Sequence, residues 1–403
     1  MKKQYVLIDR IIENSVYLFI FFLFLAKGEA IRNILIFGSF TLWAVTLNHR
    51  ENLSLLRQRL SIFCWIYLGS VILSVIFSVD PAYSLSELKE KPLKFAMLFP
   101  VISTVMTDEE RLKKTALVCL ITGLLMVFTG YYSYIFHNIR MLKPDTFLVH
   151  AWHNKFARYL CMMLSYTFIL YLVWRRPMLK RMLVIVFIIS FLALILSTSR
   201  GGFLGFLGAV FVWALYVSRT RGYNFKKVLA YIVIIVLVSG TFSYFTFPVV
   251  HRRIKHMPKD VRTLTKRTVL WKAALYAIKE RPILGWGYGA SLYRRDEPFK
   301  DTIYKKAPQT KKGVHNVFLR IMFHQGIVGL ISYILIIFTA VTIFWKEAFR
   351  TTGISSYMLI ACVAVLVSNY ILHAMLADVE LIHLGVVLGL GMAAKGISEN
   401  SRS

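Results

Sequence analysis

PVVHRRIKHMPKDVRTLTKRTVLWKAALYAIKERPILGWGYGASLYRRDEPFKDTIYKKAPQTKKGVHN, residues Pro248–Asn316, is the stretch whose reading decides the fold. It is the one long polar segment in a chain otherwise built of apolar runs. It leaves the apolar run Val228–Phe247 and ends at His315-Asn316, where the next apolar run opens. So many lysines and arginines cannot sit in hydrocarbon. The segment reads as an extramembrane loop folded back over a membrane bundle, with the chemistry beneath it.

The rest of the chain supplies the bundle. Of 403 residues, 57% are hydrophobic and only 17% charged, against about a quarter charged in a soluble domain. About twelve apolar runs approach the roughly 20 helical residues a bilayer requires. They lie near 13–26, 31–47, 60–78, 93–106, 115–136, 156–174, 182–199, 202–217, 228–247, 327–345, 357–373 and 379–394. The expectation is an all-α polytopic membrane protein in three parts. Residues 1–247 form an N-terminal bundle of about nine spans, 248–316 a helical lid, and 317–403 a C-terminal bundle of about three. The short alternating segments of a β-barrel are absent. Val16–Ala26 follows Met1-Lys2-Lys3 but ends without a small-x-small cleavage site, so it reads as an uncleaved first span.

Charge sets orientation. Arg50/Arg57/Arg59, Arg111/Lys113/Lys114, Arg175/Arg176/Lys180/Arg181 and Arg219/Arg221/Lys226/Lys227 fall on one set of alternating connections. The opposite short connections are poorer in bases, so the positive-inside rule places both termini in the cytoplasm. The long loop then lies on the periplasmic side, because long segments cross largely regardless of charge. The net charge of +29 follows from basic cytoplasmic loops and does not call for nucleic acid. Cys64, Cys119, Cys161 and Cys362 sit far apart in or beside apolar runs and read as packing residues.

Four constellations carry the candidate chemistry. Ser197-Thr198-Ser199-Arg200-Gly201-Gly202 joins two spans, so Arg200 stands at the membrane surface behind three hydroxyls. Arginine so close to hydrocarbon marks a functional site. In the loop, Arg262–Glu280 reads as a helix capped by Thr263 or Thr265 and stopped by Pro282. Arg267, Leu270, Trp271, Ala274 and Ile278 share its packed side, while Lys272, Lys279 and Glu280 face water. Arg267 at the free amides of that helix's N-terminal end suits phosphate. Pro282–Gly289, with Trp286 and Tyr288 among glycines, lacks the Gly-Lys-Ser/Thr of a P-loop and does not follow a strand. Its aromatics fit sugar stacking or the membrane interface. His315-Asn316 heads Val317–Gln325, with Gly326 as a stop, and His315, Leu319 and Met322 share a helical face. His315 can take a proton from a hydroxyl.

Weaker candidates are His150, Trp152, His153 and Asn154 at the entry to the sixth span, and Asp378 and Glu380 at the last turn. No acidic residue adjoins the histidines in sequence to complete a metal site. Asp80, Glu87 and Glu90 read as solvated loop charges. Two arginines can neutralise a diphosphate while a histidine handles a proton. Outside the cytoplasm, group transfer needs an already activated donor, and no Asp-x-Asp pair stands in the loop to hold Mg²⁺.

With these residues in place, the chain resembles the O-antigen ligase family, which shares a domain with O-antigen polymerases and some protein O-oligosaccharyltransferases. The resemblance rests on Thr198-Ser199-Arg200-Gly201, Arg267 with Trp271, Pro282–Gly289, and His315-Asn316 with Gly326 and Gly329. It spans about Leu192–Leu330. It implies a GT-C-like bundle and a metal-independent, inverting glycosyltransferase without cofactor. That enzyme moves a polysaccharide from undecaprenyl diphosphate to a sugar hydroxyl of lipid A–core oligosaccharide, at the periplasmic face of the bacterial inner membrane. Arg200, Arg267 and His315 become catalytic candidates. Ser199, Trp271, Trp286, Tyr288, Asn316, His153 and Asp378 become substrate-binding candidates. An O-antigen polymerase using the same donor and a non-enzymatic polyprenyl-lipid transporter are the alternatives. A transporter would carry its charges within spans near the midplane, whereas Arg200, Arg267 and His315 gather at one face.

Overall fold

The computed structural model describes residues 2–23, 25, 28–137, 141–147, 149–255, 257–289, 314–378 and 380–402. Among these the chain is helical, with one isolated bridge between Asp145 and His150. The helices in order are α1 (Lys2–Leu23), α2 (Glu29–Val45), α3 (Arg59–Ile76), α4 (Pro81–Glu90), α5 (Pro92–Val105), α6 (Glu109–Phe136), α7 (His153–Val173) and α8 (Pro177–Leu196). Then follow α9 (Arg200–Arg221), α10 (Phe225–Thr246), α11 (Pro248–Lys255), α12 (Met257–Glu280), α13 (Val317–Ala348), α14 (Gly353–Val365) and α15 (Leu381–Asn400).

Among the described residues, nine helices are long and apolar enough to cross a membrane: α3, α6 to α10, α13, α14 with its continuation to Met375, and α15. The other three expected spans also form helices. However, α1 carries Asp9, Arg10 and Glu13, α2 has 17 residues and α5 has 14. The polytopic all-α reading stands, while length and apolarity alone do not reproduce the count of twelve.

Local chemistry sets the helix starts. Asp80, Asp108, Ser199, Asn224 and Asn316 each accept a hydrogen bond from a first-turn amide of the helix that follows. Each satisfies a donor that the helix itself leaves open. At the centre, α7, α14 and α15 are the most buried spans, and α10 the least. The apolar surface of α10 suits lipid, which is as apolar as any protein neighbour.

Two features position what lies at one end of the bundle. α9 lies against the π-helical turn Leu366–Leu372 through Gly205 and Gly208. There a methyl group would come within 2.9 Å of Ser368 and 2.4 Å of Leu372. The π turn widens the end of α14 and re-aims the chain toward the Ala374–Glu380 turn.

The second feature explains Pro282–Gly289. Gly326 does not stop its helix. It kinks α13 at φ 64°, ψ −161°, a region open essentially to glycine alone. The break frees the carbonyls of Phe323 and His324, which accept from the amides of Trp286 (2.9 Å) and Gly287 (3.0 Å). The amide of Ile327 donates to Pro282 (2.8 Å). The segment is thus a backbone clasp across a broken helix, and it supplies partners the kink would otherwise orphan.

Candidate functional site

A cavity of about 930 Å³ opens where helix ends converge. Its walls come from the N-terminal ends of α7, α9, α13 and α15, from α3, α4 and α12, and from the 288–289 end of the clasp. This volume is typical of a ligand site.

Arg200 begins α9 and lines the cavity with Thr198 and Gly201. Thr198 has φ 52°, a left-handed conformation that costs a β-branched residue about 1–3 kcal/mol. Ser199 is occupied with structure. Its hydroxyl accepts from Gly202 N (3.1 Å) and donates to Asn154 Oδ1 (2.7 Å), fastening the turn to α7. Ser199 does not line the cavity.

Arg267 also lines the cavity, with Leu270, Ala274 and Ile278 buried on its helix and Lys272, Lys279 and Glu280 exposed. Its position within the helix differs from the expectation. α12 begins at Met257, so Thr263 and Thr265 lie inside the helix rather than at its cap. Arg267 therefore stands about three turns in, beyond the reach of the helix-end amides.

His315 is not on a helical face. It has φ 51°, and with Thr198 it is one of two non-glycine left-handed residues among those described. Both line the cavity, as strained residues tend to do at binding sites. The chain reverses at His315, and Asn316 then caps α13 by accepting from Leu319 N (3.1 Å). Leu319 and Met322 pack with Trp271 and Trp286 instead. His315 turns toward the last loop, where Nδ1 lies 3.7 Å from Asp378 Oδ2. The other oxygen of Asp378 is 3.0 Å from Arg320 of α13.

Of the remaining candidates, His153 and Tyr288 line the cavity. Burial pushes the Tyr288 phenol up, with nearby Tyr67 and Glu87 adding to the shift, so it stays protonated. Trp271, Trp286 and Asn316 do not line the cavity. Trp271 donates to Val314 O (3.1 Å) and Trp286 to Ala277 O (2.8 Å). These two indoles tie α12 to the clasp and to the start of α13.

Other cavity residues were at most weak candidates in the sequence: Glu380 at the last turn, and Lys155 and Arg158, which there favoured only the transporter alternative. Arg158 is buried within a membrane-length helix, and its guanidinium donates to the Asp378 carbonyl. Glu380 lies 2.7 Å from Lys155, 3.6 Å from Arg158 and 3.1 Å from His383. Burial opposes ionisation of Glu380, but His383, Arg158 and Lys155 outweigh it and hold the carboxyl well below the usual carboxylate range. Glu87, Lys91 and Arg320 also line the cavity. The available signal was Lys155 and Arg158 three residues apart in an apolar run. For Glu87 there was none, because a short amphipathic helix resembles a solvated loop. Among the described residues no three His, Cys, Asp or Glu side chains gather to hold a metal ion. His150 pairs with Asp145 (2.6 Å) instead.

Comparison with known proteins bears on the same region. Residues 185–334 match the family model Wzy_C, described as O-Antigen ligase. A Rickettsia felis protein named "Putative polysaccharide ligase" is 24% identical over 311 residues, covering 71% of this chain and 70% of its own length. A Rickettsia bellii protein of the same name is 24% identical over 318 residues, covering 71% of both. An uncharacterized Haemophilus influenzae protein is 27% identical over 173 residues, covering 40% of this chain and 43% of its own.

Proposed function

We propose, from the O-antigen ligase domain that residues 185–334 carry, that this multi-pass membrane protein is a lipid-diphosphate-dependent glycosyltransferase. The donor is a polysaccharide on undecaprenyl diphosphate. The acceptor is a sugar hydroxyl of lipid A–core oligosaccharide, and the reaction takes place at the periplasmic face of the inner membrane. The observation that carries this reading is the convergence of Arg200, Arg267 and the His315–Asp378–Arg320 cluster on one cavity.

The chemistry is a direct displacement. The acceptor hydroxyl oxygen bonds to the anomeric carbon, and the bond from that carbon to the diphosphate oxygen breaks. The electron pair leaves with the diphosphate, whose charge Arg200 and Arg267 stabilise. The hydroxyl proton passes to His315. With Nδ1 of His315 facing Asp378, Nε2 takes the proton, and the carboxylate stabilises the imidazolium that forms. Configuration at the anomeric carbon inverts. His153 and Tyr288 contribute binding groups. Ser199, Trp271, Trp286 and Asn316 hold the elements that present the site.

The test is reconstitution of purified protein with a lipid-diphosphate glycan and either lipid A–core or a second glycan-lipid. Glycan transferred to lipid A–core supports the ligase reading. Elongation of the glycan-lipid would make the protein a polymerase, and unchanged donor with both acceptors would refute transferase chemistry.

A further inference from the structure

The cavity has two walls of different chemistry. One comprises α7, the turn before α9, and α12, and presents Lys155, Arg158, Arg200 and Arg267. The other comprises α3, α4 and the clasp, and presents Tyr67, Glu87, Lys91 and Tyr288. The His315–Asp378–Arg320 cluster joins them. The carbonyl of Asp378 is held by Arg158 on the first side, while its carboxylate is 3.0 Å from Arg320. Arg320 in turn lines the same cavity as Tyr67 and Tyr288 of the second side.

The second wall is built as a binding surface. Glu87 is drawn in from α4, its side chain 22% exposed. One carboxylate oxygen accepts from Tyr83 (3.1 Å), and the other lies 3.6 Å from Lys91. Gly289 leaves the room for it, since a methyl group there would stand 2.4 Å from Glu87 Cγ. A carboxylate so fixed, its charge shared with Lys91, accepts hydrogen bonds from hydroxyls. A half-buried phenol beside it offers a ring face and a donor. This combination suits a sugar.

We infer that Glu87 and Tyr288 form the acceptor-sugar subsite, holding hydroxyls of the incoming glycan opposite the arginine wall. The inference rests on the transferase reading above and deepens it. In an inverting displacement the nucleophile enters opposite the leaving group. With the diphosphate on the arginine wall and His315 between, the acceptor must come from the α4 side.

Glu87→Gln and Tyr288→Phe test this in the purified full-length protein, with donor and acceptor concentrations varied separately. A hydrogen bond to a charged group is worth roughly 1.5–3 kcal/mol. Glu87→Gln should therefore raise the KM for lipid A–core about 10–100-fold, and Tyr288→Phe by about 5–10-fold. The donor KM and kcat should stay within about twofold in each. A rise in donor KM alone, or no change in either KM, would overturn the assignment. So would loss of kcat with a changed pH profile for Glu87→Gln, which would make Glu87 the base. Binding of delipidated core oligosaccharide, followed by calorimetry, separates this inference from the transferase reading. Binding by the native protein that weakens about tenfold in Glu87→Gln supports the subsite even without turnover, and equal binding by both overturns it.

Discussion

Gly326→Ala is the sharpest test of the architecture. At Gly326 an added methyl group would stand 2.1 Å from the carbonyl oxygen and 2.2 Å from the carbonyl carbon of Ile283. Both are backbone atoms, so no side chain can swing aside. The dihedral angles of φ 64° and ψ −161° are strained for any L residue, by about 1–3 kcal/mol. To relieve the clash, the clasp must lift from α13 and lose its three hydrogen bonds, those of Trp286, Gly287 and Ile327. At about 1 kcal/mol each, the total is about 4–6 kcal/mol. At about 2.1 cal/mol/K of unfolding entropy per residue over 403 residues, each kcal/mol is worth about 1.2 °C, so the unfolding midpoint falls by about 5–7 °C. Lifting the clasp also moves Tyr288 and the chain leading to α13, so activity should drop with stability. The assay is thermal unfolding of detergent-purified protein, with Gly240→Ala as control. Nothing lies within 4 Å of the added carbon at Gly240, and alanine favours a helix by about 1 kcal/mol, so that midpoint should hold or rise. If Gly326→Ala melted within about 2 °C of the native protein, the clasp would not carry the stability assigned to it.

Arg200→Ala and Arg267→Ala should each lower glycan transfer about 10²–10³-fold, read from initial rates of the detergent-purified protein; an unchanged rate would remove the diphosphate clamp. Asp378→Asn, which removes the carboxylate facing His315, should slow transfer by up to the factor of about 10²–10⁴ that a general base supplies, read from kcat at saturating donor. For Trp271→Phe, loss of the bond to Val314 should cost about 1 kcal/mol of stability and little activity; a large rise in substrate KM would instead place the indole at the substrate. Glu380 is held below the usual carboxylate range, so its contribution to stability is present above the unfolded value of about 4.3 and is lost as pH falls through the folded value. Glu380→Gln should therefore destabilise the protein at pH 7, and the difference from the native protein should narrow on acidification below about pH 4; a constant difference would contradict the assignment.

What the sequence determined by itself is what depends on period and polarity. Apolar runs of span length gave the helices, and the buried face of α12 followed from the spacing of Leu270, Ala274 and Ile278. The arginine at the head of α9 was legible because charge beside hydrocarbon is costly, and the histidine at the exit of the long loop because an imidazole can take a proton from a hydroxyl. The tertiary structure decided what depends on which ends meet. Asp378 is a weak candidate in the sequence, and it takes the π turn at the end of α14 to bring it to His315 and Arg320. Glu87 reads as solvated until Gly289 leaves space for it at the cavity wall. Trp286 fits a sugar platform in the sequence and Trp271 a substrate-binding residue, yet each indole is committed to a backbone carbonyl. Pro282–Gly289 announced a tight turn, but only the kink at Gly326 shows what the glycines serve. Local periodicity records which side of a helix is apolar. It holds no record of contacts across 40 to 250 residues of chain, such as Trp271 to Val314 or Ser74 to His324. Those contacts convert a polar loop over a bundle into a site.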